Sequence, residues 1–567
     1  MFRSVLTKAT AAAGAAALLA GCGAAASSSP SSIQSNTVLV AITGGTPNFW
    51  FPMNSAPDFT ELNGEMNHLM YLPLVNVNHS NGVSFQQAVA DRIVANPQGT
   101  VYKIYLNPKV KWSDGRPVTA NDVVFAWNII AAASQSTPAP AWYYGGAGMG
   151  GVPTRWKSVV ADGQHEVIVT LKQPTNATWF EHNGLTQIFP MPYFKWDKYP
   201  HSMAQELQYI LSVSNSPSNP VYKVVDGPYA FAKTSSNIYW DFVPNPHYYG
   251  QKATFKVDFQ YLTSGAAEFT ALKKNEIQVG TLPFSLYASR SQLGSDRLHV
   301  IYPFGFNYMT PNESLHSAQV NGALALTYVR QALQMGIDQQ GIVSAIYHGV
   351  ATPEYDQVPA NPPTVFNDPG VPALKYNPSK GVHLLESHGW RLKNGVMTKG
   401  SMQLKFSLLY PSASVTIQDE MEYLKATWAK EGVQVSLHAE SGGTIFAEAT
   451  QSKPSSWAMA NTLGWIYGPD FYPTGGEFYL PTSGANNEGY ANAQMTQLIK
   501  NTYLPGTPAQ TKARFDQFLA FEAQQVPVLW MPYTPQLFEV DRALTGFTQS
   551  YNPITGFYYP NYWRSKG

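Results

Sequence analysis

The stretch KWSDGRPVTANDVVFAW, Lys111 to Trp127, restricts the possible folds more than any other part of the chain. It follows Val101–Trp112, where Val101, Lys103 and Tyr105 alternate with Tyr102, Ile104 and Leu106, the period of a strand. Ser113-Asp114-Gly115 is turn chemistry, and Pro117 rules out continuing a central strand. Thr119 is a good helix N-cap with Asp122 three positions on, close to a capping box. Ala120–Ala132 then reads as a helix with Val123, Trp127 and Ile130 on one stripe. Every polar residue has a structural duty, so the stretch reads as strand, turn and capped helix rather than as a catalytic loop.

The same grammar recurs along the chain. Thr37–Thr43 is an almost continuous apolar run of the kind found in covered strands. Asn67–Asn78 ends in a strand candidate, and His165–Leu171 is another. Asn321–Ile337 and Ser379–Trp390 read as helices. Ser414–Glu431 carries Ile417, Met421, Leu424 and Trp428 on one face, and Val433, Val435 and Leu437 alternate after it. Pro508 suits the first position of a helix carrying Phe515, Phe518 and Leu519, with a strand at Val526–Trp530 to follow. Interleaved helices and strands without an internal repeat indicate α/β layers.

The N-terminus is a different kind of segment. Arg3 and Lys8 precede a small, mostly apolar run from Ala9 to Ala20, too short for a comfortable membrane span but right for a signal peptide. Leu19-Ala20-Gly21-Cys22 resembles a bacterial lipoprotein cleavage box, which implies a lipid on Cys22. Cys22 is the only cysteine in the sequence, so no disulfide can form within the chain. The small, polar residues up to Asn36 read as a flexible tether. The expected location is the outer face of a bacterial cytoplasmic membrane, extracellular or periplasmic.

Charged residues are 13% of the chain against about 25% in an average protein, and the formal net charge is zero. No basic run points to nucleic acid. Catalytic motifs fail their context tests. His165-Glu166 begins an HExxH pattern, but position 169 is valine. Gly146–Gly151 matches GxGxxG without a strand before it or a helix after it. Neither a nucleophile elbow nor a P-loop is present, and the histidines lack metal spacing, so no enzyme activity, metal or cofactor is expected.

With the strand TVYKIYLNPKV before it, the opening stretch resembles the signature of the oligopeptide/dipeptide class of ABC-transporter solute-binding proteins, extracellular family 5. Leu72-Pro-Leu-Val-Asn-Val, Asp226-Gly-Pro-Tyr-Ala-Phe, Asn245-Pro-His-Tyr-Tyr, Val329–Asp338, Leu463-Gly-Trp465 and Val526-Pro-Val-Leu-Trp match further family segments in order. The resemblance implies an α/β, periplasmic-binding-protein-like two-lobed clamp of the large class with an extra inserted domain. The expected divisions are a signal peptide at 1–21, a tether at 22–36, domain I from 37–74, 196–305 and 536–567, domain II at 75–195, and domain III at 306–535. It also implies a monomer that encloses an oligopeptide and delivers it to an ABC permease.

In peptide-binding members the stretch after Gly-Trp lies against the ligand, and an aspartate three residues past the tryptophan pairs with its α-amino group. Here that position is Gly468, with Asp470 two residues further on, either a shifted partner or a turn residue. The candidate ligand-binding residues are therefore Trp465, Ile466, Tyr467 and Asp470, with Trp50, Phe59 and Tyr143 added by position and type. The alternative within the class is a non-peptide solute, an oligosaccharide or a nickel complex. Alternatives from other classes are a secreted, membrane-anchored hydrolase and a structural envelope protein.

Overall fold

The computed structural model describes residues 36–566, apart from 236, 295, 318, 319, 452 and 463. The signal peptide, Cys22 and the tether before Asn36 lie outside the described residues. Seven strands from three distant parts of the chain form the first sheet, in the order Asp296–Ile301, Gln536–Asp541, Val279–Thr281, Thr37–Ile42, Lys256–Tyr261, Tyr239–Pro244, Tyr229–Ser235. The apolar run at Thr37–Ile42 sits inside this sheet, parallel to both of its neighbours. A four-stranded antiparallel sheet, Ala90–Ala95, Val101–Leu106, Glu166–Leu171 and Trp156–Ala161, packs beside it. One continuous apolar core joins these two sheets, running from Val38 and Val257 through Tyr102 and Val167.

The other lobe is built on a six-stranded mixed sheet. Gln434–Glu440, Lys405–Pro411, Met459–Asn461, Gly305–Pro311 and Trp465–Ile466 follow in order, and Leu529–Met531 also pairs with Gly305–Pro311. Helix Val415–Ala429 buries Met421, Leu424 and Trp428 against this sheet, the stripe its spacing predicts. Helix Pro508–Gln525 starts with Thr507 and Gln510 in a capping box and Pro508 at its first position, then buries Phe515, Phe518 and Leu519. Val526, expected to begin a strand, instead ends this helix at a positive φ of 46°, and the strand begins at Leu529. Asn67–Met70, expected as the approach to a strand, closes helix Glu61–Met70, and extended pairing is confined to Asn76–Val77.

The Lys111–Trp127 corner has the predicted form. Lys111 bridges Pro117, and Gly115 turns the chain at φ 88°. The helix spans Ala120–Ala133. Asp122 closes its start, accepting from the Thr119 backbone N–H at 2.7 Å and the Thr119 hydroxyl at 2.9 Å. Its other oxygen accepts from the Tyr193 N–H at 3.2 Å, pinning the next segment to the corner. The two discarded motifs also have structural explanations. Glu166 pairs with Lys103 at 2.7 Å on the strand surface. Gly150, at φ 55°, is packed so closely on Gly184 that an added Cβ would lie 2.2 Å from its backbone. Gly146, Gly150 and Gly151 thus serve close packing, and Gly148 serves a turn at φ 98°.

Several carboxyls are buried without a cation. Glu420, inside helix Val415–Ala429, is pushed up to about 8 by burial, partly offset by the Tyr347 hydroxyl. Glu354 is likewise pushed up to about 8, by burial and then by Asp356. A carboxyl raised in this way holds its proton more tightly in the folded state. Its contribution is complete below the unfolded value near 4.5 and is lost as pH rises through the folded value near 8. The buried histidines act oppositely, with His68 pushed down to about 4 by burial, but their effect ends near 6.5.

Two outcomes are expected. Thr119→Ala should cost about 1 kcal/mol in denaturant unfolding while leaving solute affinity unchanged; a large affinity loss at unchanged stability would show that the corner touches the ligand. The melting temperature should fall between pH 6.5 and 8.5, and Glu420→Gln should flatten that slope. A slope identical in the variant would remove Glu420 from the explanation.

Candidate functional site

A cavity of about 300 Å³ lies where the lobes meet. Its walls come from residues 52–76, 144–189, 464–471 and 555–557, so no single local stretch defines it. Phe59, Tyr144, Phe189, Trp465 and Phe557 make it strongly aromatic, and Ile466, Gly468 and Pro469 complete the wall on the six-stranded side. Strand Trp465–Ile466 is the last of its sheet. One side pairs with Gly305 and Phe306, and the strand borders the cavity. An edge strand beside an enclosed space can accept an extended ligand as a further strand.

A second cavity of about 820 Å³ continues the seam, walled by residues 41–43, 264–268 and 281–286 on one side and 413–417 on the other. Glu61 lines both spaces. Glu61 follows Thr60, whose hydroxyl caps helix Glu61–Met70 by accepting from the Asn63 N–H at 3.3 Å. Glu61 is exposed and lines both spaces, and the protein around it partly desolvates its carboxyl. This desolvation pushes its carboxyl up, and a long hydrogen bond from Gln536 at 3.4 Å only partly offsets this. One turn on, burial and then the charge of Glu61 push Glu65 well above the usual carboxylate range. His68 presses Nδ1 against the Gly64 carbonyl at 2.9 Å, with its ring edge-on to Phe189 and tilted against Phe557. Burial keeps it neutral, so Nδ1 carries the proton and Nε2 is an acceptor.

The candidate residues divide by side chain. Trp465, Ile466 and Phe59 line the smaller cavity. Tyr467 does not: it is buried against Phe304 and Phe306, and its hydroxyl donates to the Gln357 carbonyl at 2.9 Å. Trp50 is 1% exposed and sits edge-on to Phe231 in the core of the first lobe. Tyr143 is 47% exposed and outside the cavity, whereas its neighbour Tyr144 is part of the wall. Glu61 and His68 had no distinguishing signal in the sequence; an acidic residue after a threonine cap reads as ordinary helix-start chemistry.

Asp470 is 1% exposed and turned away from the cavity. Its carboxylate accepts from the Asn183 amide, and burial followed by the charge of Glu477 pushes it well above the usual range. Asn183 also donates to the Tyr472 carbonyl at 3.0 Å and accepts from the Tyr472 N–H at 2.7 Å. Asn81 donates to the Phe471 carbonyl at 2.7 Å, and Asn176 to the Thr502 carbonyl at 2.9 Å. Side-chain amides of one lobe thus hold the backbone of the other. Gly468, at the position where an aspartate was expected, has room for a side chain: an added Cβ would come no nearer than 3.7 Å to the Thr555 carbonyl.

Known proteins share this architecture. Residues 84–487 match the profile of the bacterial extracellular solute-binding proteins, family 5 Middle. The oligopeptide-binding protein AppA of Bacillus subtilis is 22% identical over 534 residues, 93% of this chain and 91% of AppA. The structure of AppA in complex with a nonapeptide superposes with a TM-score of 0.74 at 19% identity, covering 94% of this chain and 99% of AppA. The ABC transporter substrate-binding protein CtaP from Listeria monocytogenes gives 0.76 at 20% identity, over 93% and 99% of the two chains. NikZ from Campylobacter jejuni in complex with Ni(L-His) gives 0.74 at 19% identity, over 94% and 99%.

Asn183→Ala should weaken solute binding by about tenfold or more, because it strips partners from the Asp470 carboxyl and the Tyr472 backbone in the closed form only. Solution scattering should show a more extended particle. Unchanged affinity and unchanged dimensions would mean that this contact does not hold the lobes together. The profile match spans well over half of the chain and the expected two-lobed α/β architecture is present, so the protein belongs to the family 5 bacterial extracellular solute-binding proteins.

Proposed function

We propose that this protein captures peptides in the chamber between its lobes and hands them to an ABC permease, held at the membrane by a lipid on Cys22. The observation that carries the reading is the edge strand Trp465–Ile466 bordering a chamber walled by both lobes. A peptide entering there gains main-chain hydrogen bonds whatever its side chains, while the aromatic walls remove it from water. The two cavities, about 300 and 820 Å³, give room for an extended ligand rather than a single small molecule. The peptide complex of AppA supports the same reading.

A non-peptide solute is the second reading, and Gly468 favours it. Packing does not force glycine there, so the missing carboxylate reflects a difference in what the site recognises. Native mass spectrometry of the body from residue 37, purified without added ligand, separates the two. A distribution of masses matching short peptides is expected. A single non-peptide mass, together with no thermal stabilisation by a mixture of tri- to nonapeptides, would overturn the peptide reading. Gly468→Asp should raise affinity for peptides with a free α-amino group by about tenfold, with no gain for N-acetylated ones, because a charge-assisted bond forms inside a closed site.

A further inference from the structure

The chamber has a marked charge asymmetry. Glu61 lines both cavities, and Glu65 and Glu268 line the larger one, yet among the described residues neither wall includes a lysine or an arginine. Glu268 is already engaged, since the Thr281 hydroxyl and backbone N–H both donate to it. Glu61 and Glu65 are not. The exposed Glu61 has only the long contact from Gln536, and the half-buried Glu65 keeps a buried Oε1 without a hydrogen-bond partner. Other groups facing the pair are neutral: the Tyr551 hydroxyl, spent on Gln536 at 2.9 Å, the Tyr558 phenol, and His68, one turn beyond Glu65 on the same helix face.

We infer that Glu61 and Glu65 form the cation subsite of the inter-lobe chamber, binding the ammonium or guanidinium group of the solute in place of the aspartate missing at position 468. This deepens the peptide reading and rests on it. Two carboxyls one helical turn apart repel when both are ionised, and desolvation pushes both up, so each holds its proton more tightly than a free carboxyl does. A cation placed between them removes both penalties. Binding should therefore release a proton, and affinity should rise with pH. The aromatic rings of Phe59, Phe189 and Phe557 nearby would pack the apolar part of the same solute and exclude the water that would screen the pair. With no basic wall residue, a ligand carboxylate finds no charged partner, and C-terminally blocked cationic solutes should bind best.

The test uses the full body and three peptides: Ala-Phe-Ala-amide with a free α-amino group, N-acetyl-Lys-Phe-Ala-amide with only a side-chain ammonium, and neutral N-acetyl-Ala-Phe-Ala-amide. At least one cationic peptide should bind about tenfold tighter than the neutral one, and which one does so tells the α-amino source from the side-chain source. Calorimetry in buffers of different ionisation enthalpy should show proton release. Glu61→Gln and Glu65→Gln should each remove most of that preference and the proton release, with melting temperatures showing that both variants fold. If all three peptides bind equally to wild type and variants, the cation subsite is refuted while peptide capture stands. If no peptide binds but 2-phenylethylamine does, and Glu61→Gln abolishes it, the subsite stands and the peptide reading falls. If neither peptides nor the amine bind, both fall.

Discussion

The backbone passes between the lobes at two places only among the described residues, and the rest of the architecture follows from how these crossings are held. Strand Asp296–Ile301 lies antiparallel to Gln536–Asp541 in one sheet. Immediately beyond, Gly305–Pro311 lies antiparallel to Leu529–Met531 in the other. The connecting residues 302–304 and 532–535 therefore run side by side. Pro303, Pro532 and Pro535 fix φ in both, and the Tyr533 hydroxyl donates across to the Pro303 carbonyl. Tyr533 also pairs its backbone with Thr352, at 2.7 and 2.9 Å. Few bonds are left to turn, so relative movement of the lobes is confined to one axis, the geometry of hinge closure.

Away from that axis, the lobes meet through side chains rather than through shared sheet. Asn81, Asn176 and Asn183 donate amides to backbone carbonyls of the opposite lobe, and Trp179 packs on Tyr503 at 4.4 Å. Neutral amide bonds exchange for water at little net cost, about 1 kcal/mol each, so a seam built from them can close without locking. Salt bridges would be a poorer choice: once buried they demand desolvation of both partners. The scarcity of charge throughout the chain fits a protein whose largest internal surface must be wetted and dried repeatedly.

What the sequence reveals and what it hides divides along the same line. The Lys111–Trp127 corner was legible because strand period, turn glycine, proline, cap and apolar stripe all act within a few residues of one another. The chamber was not, because its walls come from four stretches spread over five hundred residues of chain. Within those stretches, residue type alone misplaces side chains. Trp50 suits a ligand cleft by type, yet it fills the space beside Phe231 and Phe242. Tyr143 and Tyr144 differ by one position, and in extended backbone one position reverses the side on which a residue lies. Tyr467 was grouped with Trp465 and Ile466 by adjacency, but its ring is core and its hydroxyl ties down the 357 segment. The family segments gave the architecture without settling which side chains meet the solute.

Glu61 and Asp470 show how two roles can be separated. In a site where one aspartate met the ligand amine and also stood at the closing seam, losing the ligand's charge would weaken closure as well. Asp470 instead belongs to the seam: enclosed, raised by burial, and held by Asn183 whatever occupies the chamber. Glu61 and Glu65 belong to the chamber and lack such partners. Closure then depends on neutral contacts that any solute of suitable size can trigger, and discrimination depends on a carboxylate pair that only a cation satisfies. Because the pair sits on the helix that begins beside the cavity wall at Phe59 and Thr60, a solute anchored there is carried with the lobe that contains the helix. The edge strand Trp465–Ile466 then arrives from the other lobe to complete the enclosure.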